Sequence, residues 1–180
     1  MIHFFIKGGF LMYPILLCSL AGLTIIINKF IQYRRLLNEI QRPLDDVLKA
    51  KPVVLTPILQ GLENGCNEQE ISVIGTRQAR EVDKGLSWLG LFATITPLLG
   101  LTGTVIGMVK AFMVIAESTT VNPSMLAEGI WEALITTAAG LLVALPVHIG
   151  QHYLEKQADE IAFILKETTM GLYMRRRDGI

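Results

Sequence analysis

The chain has 180 residues, of which 51% are hydrophobic and only 18% charged, with a mean hydropathy of +0.47. Sixteen Lys+Arg balance sixteen Asp+Glu. That excludes nucleic acid as a partner, which demands a basic footprint, and excludes disorder, which needs low hydrophobicity and high net charge. The two cysteines, Cys18 and Cys66, and three scattered histidines form neither a disulfide framework nor a zinc set, and no spacing points to a cofactor.

In chain order, the uncharged apolar runs are Gly8–Asn28 (21 residues), Gly85–Val109 (25) and Ala133–Leu154 (22). Each is long enough to cross a ~30 Å hydrocarbon core at ~1.5 Å per residue, so three membrane spans are expected. Ser19-Leu20-Ala21 has the small-x-small form of a signal-peptidase site. Leu23 to Ile27 nevertheless continue apolar beyond it and Arg34-Arg35 follow as a stop-transfer would, so the first span is expected to remain uncleaved.

Between spans 1 and 2 lies the only sizeable aqueous segment. Pro43 opens a short helical pattern (Leu44, Val47, Leu48) that Pro52 ends; Val53 to Leu62 is a brief apolar patch containing Pro57; Asn64-Gly65 makes a turn. Asn67 followed by Glu68, Gln69 and Glu70 has the form of a capping box. The helix it starts is expected to run without a break into span 2, burying Ile71, Ile74, Gln78 and Val82. The outer turn between spans 2 and 3 is short, with Ser118-Thr119-Thr120, Asn122 as N-cap and Pro123 at the first helical position. After span 3, Leu154, Ala158, Ile161, Leu165 and Leu172 recur at helical spacing beside a wet face of Glu155, Lys156, Asp159 and Lys166.

Lys and Arg set the orientation. Nine lie between spans 1 and 2, none lies between Lys110 and Lys156, and the tail carries Arg175-Arg176-Arg177. The positive-inside rule puts the N-terminus outside and the 1–2 segment and tail in the cytoplasm. The expected class is an all-α integral membrane protein with three transmembrane helices, the second and third long and extending into the cytoplasm. Its divisions are 1–30 (N-terminus and helix 1), 31–84 (cytoplasmic loop and helical extension), 85–116 (helix 2), 117–122 (periplasmic turn), 123–154 (helix 3) and 155–180 (cytoplasmic extension and basic tail).

Several residues are out of place in lipid-facing helices. Span 2 contains Thr94, Thr96, Pro97, Gly100, Thr102, Gly103, Thr104 and Gly107, and span 3 contains Thr136, Thr137, Gly140, Ala144 and Pro146. Small residues let backbones approach closely, because no hydrophobic drive exists between helices in lipid. Spans 2 and 3 are therefore expected to face protein, and span 1, mostly Leu and Ile, to face lipid. For a single Thr the bland alternative is a hydroxyl bonded to its own i−4 carbonyl. Thr104 and Thr137 lie at similar depth in an antiparallel hairpin, where collars of hydroxyls can exchange hydrogen bonds without themselves holding a titrating proton. Glu132 either helps a cation enter or pairs with Lys110 at the same depth, and Lys110 can equally snorkel outward. His148 on the inner half of span 3 either relays protons or faces headgroups, with His152 a turn below. Trp88 and Trp131 sit at opposite span ends as interfacial anchors do. No enzyme-like constellation stands out.

The run Pro97-Leu98-Leu99-Gly100-Leu101-Thr102-Gly103-Thr104-Val105-Ile106-Gly107-Met108 resembles the second-helix motif of the MotA/TolQ/ExbB proton channel family. The run Gly129-Ile130-Trp131-Glu132-Ala133-Leu134-Ile135-Thr136-Thr137-Ala138-Ala139-Gly140-Leu141, continuing to Pro146, resembles its third-helix motif. Three spans and a modest loop are similar to the ExbB/TolQ branch rather than to MotA. The resemblance implies a homo-oligomer, a pentamer, in the bacterial inner membrane, with the pore lined by helices 2 and 3. It implies an ExbD/TolR-like single-span partner with a membrane Asp inside that pore, and a TonB/TolA-like protein as a further associate. By motif match Thr104, Thr137 and Glu132 are the pore residues, and Pro97, Gly100, Gly103, Gly107, Gly140 and Pro146 serve helix packing or hinges. Proton flow would then move the partner and energise outer-membrane transport or envelope maintenance. The alternative is a structural membrane scaffold with no direct part in conduction.

Overall fold

The computed structural model describes residues 8–41, 52–117 and 123–177; the helical pattern opened by Pro43 and the outer turn at Ser118–Asn122 lie outside them. Among the described residues every regular element is helical: α1 (Met12–Ile40), α2 (Thr56–Glu63), α3 (Glu68–Asp83), α4 (Leu86–Glu117) and α5 (Pro123–Arg177). Three helical stretches are long and apolar enough to cross a membrane, which makes this a multi-pass membrane protein. At ~1.5 Å per residue the 55 residues of α5 measure about 80 Å, well beyond a ~30 Å hydrocarbon core.

The chain divides into two compact units. The apolar unit takes in the described residues of Met1–Ile26 and Trp88–Gln151. Its interior is built from small side chains. Gly100 faces the backbone of Thr136, Thr137 and Gly140; Gly107 faces Ala133 and the Gly129 carbonyl; Gly129 in turn faces Ala111. These pairs set one antiparallel register for α4 and α5 in which the backbones touch. Van der Waals packing and interhelical hydrogen bonds, not hydrophobic transfer, hold such a seam in lipid. Pro97 and Pro146 lie inside their helices; each lacks an N–H, so the carbonyls of Ala93 and Leu142 lose their usual i+4 donor.

The first span departs from expectation. Leu16, Leu17, Leu20 and Leu23 are exposed, but one stripe of α1 is packed. A Cβ on Gly22 would touch Val147, and one on Gly150 would touch Ile26. So α1 is not simply a lipid-facing helix: Gly22 makes room for the Val147 side chain.

The polar unit takes in the described residues of Ile27–Ser87 and His152–Ile180. Its core joins Leu55, the residue before α2, and Ile58 and Leu62 of α2 to Ile71 of α3 and to Leu165 and Leu172 of α5. The α5 stripe Leu154, Ala158, Ile161, Leu165 and Leu172 is buried throughout. Along α3, Ile71 and Val82 are buried and Ile74 and Gln78 half-buried. Pro57 sits in the first turn of α2, where its missing N–H costs nothing. Gly65 (φ +81°) follows, with Gly65 N donating to Leu62 O and Cys66 N to Gly61 O, both at 3.1 Å. That is the left-handed closure glycine makes cheap. The capping box of α3 is complete: Asn67 Oδ1 accepts from Glu70 N at 2.9 Å, and Glu70 Oε2 accepts from Asn67 N at 2.8 Å.

The expected unbroken helix into span 2 is not what forms. α3 ends at Asp83; Lys84 is extended (φ −56°, ψ 120°), Gly85 has φ +100°, and α4 starts at Leu86. These angles are those of a type II turn with glycine at its third position, where a positive φ is required. The physical reason lies outside the segment. Lys29 Nζ and Tyr33 Oη of α1 donate to the Val82 carbonyl at 2.9 and 2.7 Å, occupying the acceptor that a continuous helix would give to Leu86.

Candidate functional site

The polar residues of the apolar unit gather along the α4–α5 seam. Thr96 and Thr136 are its fully buried hydroxyls. Thr96 donates to Phe92 O at 2.6 Å, and Thr136 to Glu132 O at 2.6 Å, so both protons are kept within their own helices. Thr136 also fills the notch left by Gly103, where a Cβ would come within 2.6 Å of its side chain. Thr94 and Thr102, on exposed positions, likewise donate to Gly90 O and Leu98 O.

Thr137 differs from all of these. Its Oγ1 donates across the seam to Gly100 O at 2.8 Å, a bond that exists only because Gly100 and Gly140 let the backbones meet. The oxygen keeps lone pairs free to accept from a third group. Thr104 donates to Leu101 O of its own helix at 2.6 Å and is half-buried. Because Gly103 lies opposite Thr136, Thr104 and Thr137 stand within about two residues' rise (~3 Å) of one level. Their bonds, however, lead to different carbonyls.

About one and a half turns toward the far end of α4, Lys110 Nζ and Glu132 Oε1 form an ion pair at 2.9 Å, with the two side chains 56% and 24% exposed. Pairing removes the net charge that would make either group expensive in a bilayer. Of the two readings open for Glu132, the structure therefore realises the pair. The carboxylate also lies against Gly9, whose φ is +68° and where a Cβ would overlap Oε1; sequence reasoning missed this neighbour, for which no local signal exists. His148 and His152 are exposed, as are Trp88 and Trp131. No group of three metal-ligating side chains occurs among the described residues.

This arrangement offers hydroxyls that accept and pass hydrogen bonds, and a carboxylate neutralised by a lysine. Among the described residues the Glu132 carboxylate of the seam is paired with Lys110. The sequence profile of the MotA/TolQ/ExbB proton channel family matches residues 21–167, which include α2, α3 and α4 whole and the greater part of α1 and α5. Over 92 residues the chain is 41% identical to the biopolymer transport protein exbB1 of Vibrio cholerae, covering 51% of this chain and 40% of that protein. It is 34% identical over 90 residues to the biopolymer transport protein ExbB of Salmonella typhimurium, covering 50% and 35%. To the Tol-Pal system protein TolQ of Haemophilus influenzae it is 34% identical over 85 residues, covering 47% and 37%. The matched stretch thus spans at most 40% of these relatives' own length. The profile, by contrast, runs through the whole α4–α5 seam and on into the polar unit, and on that ground the chain belongs to the MotA/TolQ/ExbB proton channel family.

Proposed function

We propose that this protein is the pore-forming subunit of a proton-driven motor complex in the bacterial inner membrane, an oligomer of five copies with its N-terminus periplasmic and its C-terminus cytoplasmic. It passes protons to and from a carboxylate carried by a single-span partner of the ExbD/TolR kind, and so moves that partner to energise outer-membrane transport or envelope maintenance. The observation that carries this reading is the pair of hydroxyls Thr104 and Thr137, within about two residues' rise (~3 Å) of one level on the α4–α5 hairpin and about one and a half turns from the Glu132–Lys110 pair. Hydroxyls relay hydrogen bonds but do not titrate, so the proton-holding group comes from another chain. Each charge crossing releases about 2.3 kcal/mol per 100 mV, enough for a few protons to shift a helix–helix contact. The names of the relatives, biopolymer transport and Tol-Pal, support an energising role.

A second reading has its own support. The hydroxyls of Thr94, Thr96, Thr102, Thr104, Thr136 and Thr137 all donate to backbone carbonyls, as in a scaffold that only packs helices. Thr104→Val separates the two, because it keeps the shape and removes the hydroxyl. In cells co-expressing the cognate partner, normal assembly with loss of uncoupler-sensitive function supports the proton path. Normal assembly with full function leaves the scaffold.

A further inference from the structure

The junction between α3 and α4 is held by a third helix. Nothing in the local sequence forbids a continuous helix there: residues 83 to 87 contain no proline, and a single glycine inside a helix costs only about 1 kcal/mol. Straightening would return the Val82 carbonyl to the Leu86 N–H, the ordinary i+4 bond. Instead both lone pairs of that carbonyl are taken by α1. Tyr33 is 0% exposed and spends its phenolic proton on Val82 O at 2.7 Å. Lys29, one turn earlier on the same face, adds a second donor at 2.9 Å, its ammonium 5.3 Å from the Tyr33 ring centroid. The lysine stem also covers the turn, with Cε 3.7 Å from where a Gly85 Cβ would stand. A cation at the C-terminal end of α3 is favoured by the helix dipole as well.

We propose that Lys29 and Tyr33 are positioning residues that latch the α3–α4 junction in its broken form, and that releasing them lets Val82 and Leu86 bond so that the helix runs through Lys84 and Gly85. The junction is then a two-state element, a type II turn when latched and a helical turn when released. Its state is set by α1, which carries none of the family's pore residues. This goes beyond the proton-path reading and stands or falls separately from it.

Backbone NMR of the full-length protein in lipid nanodiscs, selectively labelled at Lys84 and Gly85, reads the two states directly. In the parent, Lys84 Cα and carbonyl shifts lie in the extended range. In Lys29→Met/Tyr33→Phe they move to the helical range, whereas Lys29→Arg, which keeps a charged donor, leaves them extended. A double variant that remains folded, with the α2–α3–α5 core shifts unchanged and Lys84 still extended, overturns the proposal. Should the double variant fail to fold, Tyr33→Phe alone decides: it keeps the ring and removes the buried donor to Val82 O, so the Lys84 shifts move toward the helical range. If Lys84 stays extended there, the latch is refuted.

Discussion

Substituting Gly140 by alanine inserts one methyl where α4 and α5 are in backbone contact. The new Cβ would stand 2.8 Å from Thr96 O and 3.1 Å from Gly100 Cα, against ordinary contact from 3.4 Å outward. Backbone atoms cannot rotate away, so the helices must part locally by about 0.6 Å, the difference between 3.4 and 2.8. That parting stretches the Thr137 Oγ1 to Gly100 O bond from 2.8 Å toward lengths at which hydrogen bonds fail. Overpacking costs about 1–3 kcal/mol and an interhelical bond about 0.6, while exchanging glycine for alanine returns up to about 1. With the full return, the net expectation is a loss of roughly 0.6–2.6 kcal/mol. Gly150→Ala is the control, because its Cβ meets the Ile26 side chain, at 2.7 Å from Cδ1 and 3.1 Å from Cγ1, and no backbone among its three nearest atoms; a side chain can turn aside. Reversible unfolding of both variants in one mixed-micelle system ranks them. A Gly140→Ala protein as stable as the parent, or more stable than Gly150→Ala, refutes a seam set by backbone contact.

Three further outcomes follow from named contacts. Thr137→Val removes the cross-seam bond and should destabilise the hairpin by about 0.6–1.7 kcal/mol, whereas Thr104→Val, which gives up only a bond within its own helix, should be nearly neutral in the same unfolding assay. Leu165→Ala, in the polar-unit core and 1% exposed, should cost about 2–5 kcal/mol, read from loss of the protein's cooperative thermal transition at lower temperature. Asp83 has its carboxyl pushed upward by desolvation and by Asp159 and Glu155, against the pull of Lys29. The folded state therefore binds that proton more tightly than the unfolded one. The resulting stability is present below the usual carboxylate range and is lost as pH rises through the raised value. Asp83→Asn should raise the melting temperature near pH 7, and the gain should vanish near pH 3, below the ordinary Asp value of about 3.9.

What could be read from sequence was what local periodicity or local chemistry determines. The α5 stripe from Leu154 to Leu172 announces its buried face because a helix repeats it, and the Asn67–Glu70 capping box closes within three residues. The glycines of α4 and α5 signalled a close seam, and it formed. What stayed hidden depended on partners distant in the chain. The donors that break the helix at Val82 lie 53 and 49 residues away, and an isolated glycine in a helical pattern gives no warning of them. Val53 to Leu62 read only as an apolar patch containing Pro57, whereas Thr56–Glu63 is a helix whose first turn accommodates that proline. Nothing in a Leu/Ile-rich span marks Gly22, because its partner Val147 is 125 residues away. Glu132 had two open fates because both depend on where Lys110 reaches.

This chain is proposed to supply hydroxyls to a proton path whose titrating group belongs to another chain. Proton flux into liposomes under an imposed potential tests it most directly, with the protein reconstituted alone, with its single-span partner, and with the partner plus Thr104→Val. The account predicts no flux alone, flux with the partner, and loss of that flux in the variant although the complex still assembles. Flux through this chain by itself, or flux untouched by Thr104→Val, would contradict it.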